Sequence, residues 1–361
     1  FRNMETLLPH VLIKPSTNPF QYSVNITPIN LTYEFNGEVR SVPDFLERTE
    51  SSSLLIIKNK EIIFENYLNG ADQSSLHTSW SVAKSFISTL IGIALDGGLI
   101  SSVEDKVSKY LPELENSAYG SASIKDVLQM SSGVDFTESY GATGGNTALA
   151  ISSVQIMLNK AWILGISLDN QLSGFGKFED PGERFYYRSS DTHVLSAIIR
   201  RVYEEPLEDI LFKKIWQPLG MEYEANWSTA ARIPIGFCCL NTTSRDFAKL
   251  GSLYLNNGFW NGNKIVSETW INQATAPSSQ HTEPENIGGH RGYGYQWWVP
   301  RNYDGEFFAN GIWGQVIWVS KKHNVVIVRT ATDPEFRGNI VEMIAVMRAL
   351  SLATSSTPFV K

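Results

Sequence analysis

Ser81 and Lys84 stand three residues apart in HTSWSVAKSFISTLIGIALDGG, a segment that begins at His77 and turns almost wholly apolar after the lysine. On a helix, side chains at i and i+3 share a face and come within hydrogen-bonding reach. A hydroxyl beside an amine is a nucleophile beside a proton acceptor, which is what acyl transfer needs. The plainer reading makes Ser81 a helix cap and Lys84 a solvated side chain. Lysine is costly to bury and serine is a middling helix former, so a core helix gains little from either. The start of the helix also offers free N–H groups and a positive dipole end, both suited to a developing oxyanion. S-x-x-K is a weak signal by itself, and its place before a greasy helix is what gives it weight.

A serine nucleophile needs a base. The six histidines offer none in a recognisable setting, and no G-x-S-x-G turn is present. The alternative is a lysine or tyrosine whose pKa is lowered by its surroundings. Tyr67, Tyr119, Tyr187 and Tyr254 each precede a Ser or Asn by two residues. Tyr254 falls on an amphipathic helix, Tyr67 ends a strand and Tyr119 sits in a small-residue loop. Tyr187, in EDPGERFYYRSSDTHVLSAIIRRV, follows a Pro-Gly turn and precedes a helix start. Such a loop can aim Tyr187 and Ser189 into a cleft.

Steady elements must hold these groups. Residues 1–50 read as an irregular arm. SSLLIIKNKEIIFENYLNG reads as a hairpin, followed by the Ser81–Lys84 helix, which Gly97 and Gly98 terminate. Residues 103–227 carry mostly helical signals between glycine-rich loops. TSRDFAKLGSLYLNNG and GNIVEMIAVMRALSLA read as helices, and EFFANGIWGQVIWVSKKHNVVIVRTA as two long strands joined by a polar turn. The expected fold is α+β: one antiparallel sheet built from both chain ends, flanked by helices, with an inserted mostly helical region. That division puts residues 1–102 and 231–361 in the sheet unit and 103–230 in the helical one, with the site in the cleft between them.

The 361-residue chain is 42% hydrophobic and 19% charged, the balance of a globular protein. A net charge of −7 without a basic stripe argues against nucleic acid. No window of about eighteen apolar residues suggests a membrane span. The two cysteines, Cys238 and Cys239, are neighbours, a spacing that rarely pairs, and no zinc-type cluster surrounds them. The chain opens at Phe1 without a signal-peptide pattern, which fits either an exported bacterial chain that has lost its leader or a cytoplasmic one. Oligomeric state is left open.

Six segments in order, SWSVAKSF, VLQMSSGVDF, PGERFYYRSSDTHVL, TSRDFAKLGSLYLNNGFWNG, YGYQWW and GIWGQVIWV, resemble the β-lactamase-related serine hydrolases. That group is similar to class C β-lactamases and penicillin-binding proteins. Within it the chain most resembles 6-aminohexanoate-dimer hydrolases and related carboxylesterases, from about Leu54 to Arg329. The resemblance implies that Ser81 is the nucleophile, Lys84 shares its proton, and Tyr187 is the general base and later the acid, with Ser189 completing the tyrosine motif. It places the third family motif, a strand lining the cleft, on Ile312, Trp313 and Gly314, which would contact substrate. It gives the oxyanion hole to the backbone N–H groups of Ser81 and Gln315. No metal or organic cofactor is implied.

The family carries K-T-G or a similar polar motif where this chain has Ile312, and that cation helps grip a substrate carboxylate. A carboxylate entering an apolar slot loses solvation without a partner, so poor β-lactam turnover is expected, with preference for neutral or differently anchored amides or esters. Arg291 or Arg301 could supply a substitute charge, but both read more simply as loop residues. Trp80, Phe136, Trp297, Trp298 and Trp313 are candidates for the pocket wall, and loops 139–148 and 170–182 for control of access. Two rival readings remain: a D-amino-acid peptidase or acyl transferase of the penicillin-binding type, and a non-catalytic ligand-binding module on the same fold.

Overall fold

The run Ser51–Lys58 has no polar side to offer to water, and both of its faces are covered. In the computed structural model, which describes residues 2–138 and 152–355, this strand and Glu61–Tyr67 form the expected hairpin. Asn59 and Lys60 take left-handed conformations at its tip, as a tight hairpin demands. Leu55, Ile57 and Ile62 enter one core, and Leu54, Ile56 and Ile63 enter another.

The hairpin lies inside an eight-stranded sheet. Its order is Arg291–Tyr293, Trp298–Pro300, Glu306–Gly311, Gln315–Ser320, Val325–Ala331, Ser51–Lys58, Glu61–Tyr67 and Ser23–Val24. Every pairing is antiparallel except the last, so one sheet is built from both chain ends. On one face the helix Ile340–Ala353 contributes Met343, Val346, Met347 and Leu350 to the core. On the other lie Ser244–Leu255 and Ala83–Asp96, the helix that carries Lys84. The Ser244–Leu255 helix starts at Thr243, whose hydroxyl accepts the Asp246 N–H. It approaches the sheet so closely at Gly251 that a Cβ there would stand 2.6 Å from Val326 Cγ1.

Several expectations need correction. The segment from Glu306 to Ala331 holds three strands, not two. The added turn is Ile312–Gly314, whose Trp313 and Gly314 take φ of 63° and 87°. Its residues are not the polar ones that mark turns, so the pattern concealed it. Nor is the N-terminal arm irregular. His10–Ile13 pairs with Ala225–Ala230, itself a strand in the stretch read as helical, and Thr32–Phe35 pairs with Glu38–Ser41. Ala225–Ala230 also pairs with Leu240–Thr242, which pairs with His77–Thr78, giving a second sheet. Cys238 and Cys239, expected to stay apart, form a vicinal disulfide in a turn where Cys239 has φ 68°. No helix among the described residues is long and apolar enough to cross a membrane.

Overpacking at Gly251 tests the layered arrangement. Gly251→Val should destabilise the protein by about 1–3 kcal/mol, because its methyl groups would overlap Val326 and Ile317. Gly174→Ala, on the exposed surface, should change stability by less than about 0.5 kcal/mol. Thermal midpoints of the two variants check this.

Candidate active site

The second sheet positions Ser81. His77–Thr78 pairs with Leu240–Thr242, and the backbone then turns through Trp80–Val82 into the helix. Ser79 fixes the turn: its N–H donates to Leu240 O at 2.8 Å, and its Oγ accepts from Leu240 N at 3.0 Å. Trp80 has φ 44°, an uncommon conformation for a bulky residue, immediately before Ser81. Gly311, at the end of its strand, lets the sheet abut this turn, since a Cβ there would lie 2.6 Å from Ser79 O.

Neither half of the plain reading holds. The helix N-cap is Val82, and no side chain caps this turn. Lys84 is 1% exposed. Its Nζ donates to Ser81 Oγ at 3.1 Å, Ser189 Oγ at 3.0 Å and Phe237 O at 3.0 Å. An ammonium has three protons, and all three are used. Burial lowers Lys84 to about 8, opposed by the Glu138 carboxylate.

Tyr187 arrives on the loop before the helix Ser189–Tyr203. Met130 clamps that loop on both sides: its carbonyl accepts from Tyr186 N at 2.8 Å, and its sulfur from Arg188 N at 3.3 Å. The YGYQWW segment closes the frame through Gln296. Its side chain accepts from Thr192 Oγ1 at 2.7 Å and donates to Leu128 O at 2.8 Å, while its carbonyl accepts from Ser85 Oγ. Tyr187 lines the same cavity as Ser81, and its ring lies 5.1 Å from Lys84 Nζ. Ser81, Lys84, Tyr187 and Ser189 thus converge.

The tyrosine does not meet the expectation of a lowered pKa. Burial raises it well above its usual value, helped by Tyr293 and Glu138, against Ser81 and Arg291. Lysine, not tyrosine, is the group whose surroundings favour the basic form. Glu138 was missed in the sequence. Its carboxylate accepts from Ser189 Oγ at 2.8 Å and from Ser189 N, and burial raises its pKa against the pull of Lys84. A single acid beside a small-residue loop carries no pattern that would have marked it.

Ser81 and Tyr187 open on a cavity of about 190 Å³, with Glu138, Arg291, Trp298 and Asn310 among its walls. Ile312, Phe336 and Arg337 complete the lining. Trp313 stands behind, 6.4 Å from the Phe336 ring. Gly314 also stands off the wall, its missing side chain leaving room for Arg329 Nη1, 2.6 Å from where a Cβ would be. Gln315 ties its side-chain amide to Ala331. Of the five aromatic candidates only Trp298 lines the cavity; Phe136 and Trp297 are core residues. Arg291 lines it while Arg301 pairs with Glu285 at the surface, so the reading of both as loop residues holds only for Arg301. Loop 139–148 lies outside the described residues, and 170–182 adds nothing to the lining. Among the described residues, larger clefts of about 290, 310 and 760 Å³ pair no serine with a lysine. Among the described residues no three His, Cys, Asp or Glu side chains gather as metal ligands would.

Comparison with known proteins agrees with this architecture. The chain is 27% identical to a 6-aminohexanoate-dimer hydrolase of Paenarthrobacter ureafaciens over 86% of its own length and 80% of the relative's. A structure described as a 6-aminohexanoate-dimer hydrolase from Bacillus anthracis superposes with a TM-score of 0.84 at 23% identity, covering 99% of this chain and 94% of that one. EstCE1, a hydrolase with promiscuous acyltransferase activity, gives 0.67 at 16% identity over 87% and 96%. The fold is a serine hydrolase fold. Since the family model described as Beta-lactamase matches residues 40–345, most of its length, the chain belongs to the β-lactamase family.

Proposed function

We propose that this protein hydrolyses a small amide or ester through an acyl-enzyme on Ser81, in the cleft between the sheet unit (1–102 and 231–361) and the helical unit (103–230). The observation that carries the reading is the buried Lys84 Nζ, bonded to Ser81 Oγ at 3.1 Å, with Tyr187 lining the cavity onto which Ser81 opens. A non-catalytic binder has no use for a desolvated amine on a serine hydroxyl.

The neutral Lys84 amine takes the Ser81 proton as Oγ attacks the carbonyl carbon. The resulting oxyanion lies against the backbone N–H groups of Ser81 and Gln315. As the intermediate collapses, the Tyr187 phenol gives its proton to the leaving nitrogen or oxygen, and the Lys84 ammonium returns a proton to the phenolate. Water then repeats the sequence on the ester, releasing the acid and restoring Ser81. Tyr187 is thus the acid and relay, and Lys84 the base. Ser189 and Glu138 are positioning residues that hold and tune the amine. With Ile312 in place of the family's lysine, β-lactams are poor substrates.

Ser81→Ala should abolish covalent labelling by a fluorophosphonate while leaving the folded protein intact by circular dichroism; labelling equal to wild type would refute the nucleophile. The pH dependence tests the base. Below about pH 8 Lys84 is protonated, so kcat/KM for a neutral ester should rise about tenfold per pH unit toward that value and level off above it. Glu138→Gln removes the charge that opposes burial of the amine, and should move this limb to lower pH. A profile flat from pH 6 to 8 would assign the proton elsewhere.

A further inference from the structure

The cavity contains a cation that the proposed reaction does not use. Arg291 lies with its guanidinium carbon 3.6 Å from the centre of the Trp298 ring, on the wall shared with Tyr187. Burial lowers its pKa, and the titratable groups felt at the guanidinium are the phenols of Tyr187 and Tyr293, not a carboxylate. Its Nη1 is shut off from solvent without a hydrogen-bond partner, and no ion pair forms with any described residue. The cationic neighbours of Glu138 are Lys84 and Arg337. Residues 139–151 and 356–361 contain no Asp or Glu. The chain thus brings no acidic side chain to this guanidinium.

A buried charge without a counter-ion is costly, and a ligand of opposite charge relieves the cost. Arg291, Arg337 and Lys84 stand around the cavity against the single carboxylate of Glu138, in a protein whose overall charge is −7. The guanidinium fork matches a carboxylate in two parallel hydrogen bonds, and its stacking on Trp298 fixes the plane of that fork. We propose that Arg291 is a substrate-binding residue that holds a carboxylate on the substrate, so that the enzyme acts on small amides or esters carrying a carboxylate near the scissile carbonyl. This rests on the hydrolase reading above. A cavity of about 190 Å³ suits such compounds, being smaller than sites for drug-sized ligands, roughly 300–1,000 Å³. The anion would be gripped from the Trp298 side rather than at Ile312.

Two matched ester pairs test the inference: p-nitrophenyl hydrogen glutarate against p-nitrophenyl pentanoate, with the charge on the acyl part, and 3-carboxyphenyl acetate against phenyl acetate, with the charge on the leaving part. The wild-type enzyme should favour the charged member of one pair by at least tenfold in kcat/KM. Arg291→Met should reduce that ratio at least tenfold, chiefly through KM of the charged ester. Equal losses on both members would make Arg291 a support for Tyr187 and overturn the proposal. Turnover of both pairs by the wild type without charge preference would also overturn it, whatever the variant does, while leaving the hydrolase reading intact. Failure of all four esters, with no labelling of Ser81, would instead overturn the hydrolase reading.

Discussion

An ammonium with no water around it must find three acceptors, and at Lys84 they come from three separate parts of the chain. Ser81 lies in the turn just before the lysine's helix, Ser189 begins another helix, and Phe237 lies on the segment leading to Leu240–Thr242. Losing any one would strand a desolvated N–H, at about 1–3 kcal/mol or more for a charged donor. The cation therefore fixes the mutual placement of the Ser81 turn, the tyrosine loop and the second sheet. The same burial that demands this geometry brings the amine's pKa toward neutrality, so positioning and reactivity have one cause.

The rest of the molecule keeps that arrangement stiff. Strands apolar on both faces are sandwiched between helices, and the strand Glu306–Gly311 ends against the backbone before Ser81 because Gly311 has no side chain. Around the site many supporting bonds run from side chain to backbone, as in the Gln296 links to Leu128 and Ser85. Such bonds fix one loop conformation where periodic structure does not reach.

Much of this was legible in the sequence for a physical reason. Elements with strong periodicity, such as Ser51–Lys58, Ala83–Asp96 and Ile340–Ala353, were readable because burial imposes their pattern. Ser81, Lys84 and Tyr187 stood out as costly residues in odd places. Segments such as VLQMSSGVDF and YGYQWW were visible as marks, but their task, clamping Tyr187 through Met130 and Gln296, depends on contacts between distant residues. Glu138, Asn310 and Phe336 reach the cavity from loops and strand ends that carry no period. The turn at Ile312–Gly314 was hidden because a left-handed tryptophan leaves no compositional trace. Tyr187 was assigned a basic phenol by resemblance, whereas the net effect of its neighbours is fixed only by their positions.

Trp298 does not titrate, yet it stands among groups that do. Its indole lies 5.7 Å from the Tyr187 ring and nearly parallel to it, with Arg291 over its own face and Lys84 near the phenol. The π-cloud of each ring attracts its own cation, which helps to offset the cost of keeping two positive groups in one small cleft. A small cleft can then hold a guanidinium beside an amine whose charge changes near pH 8.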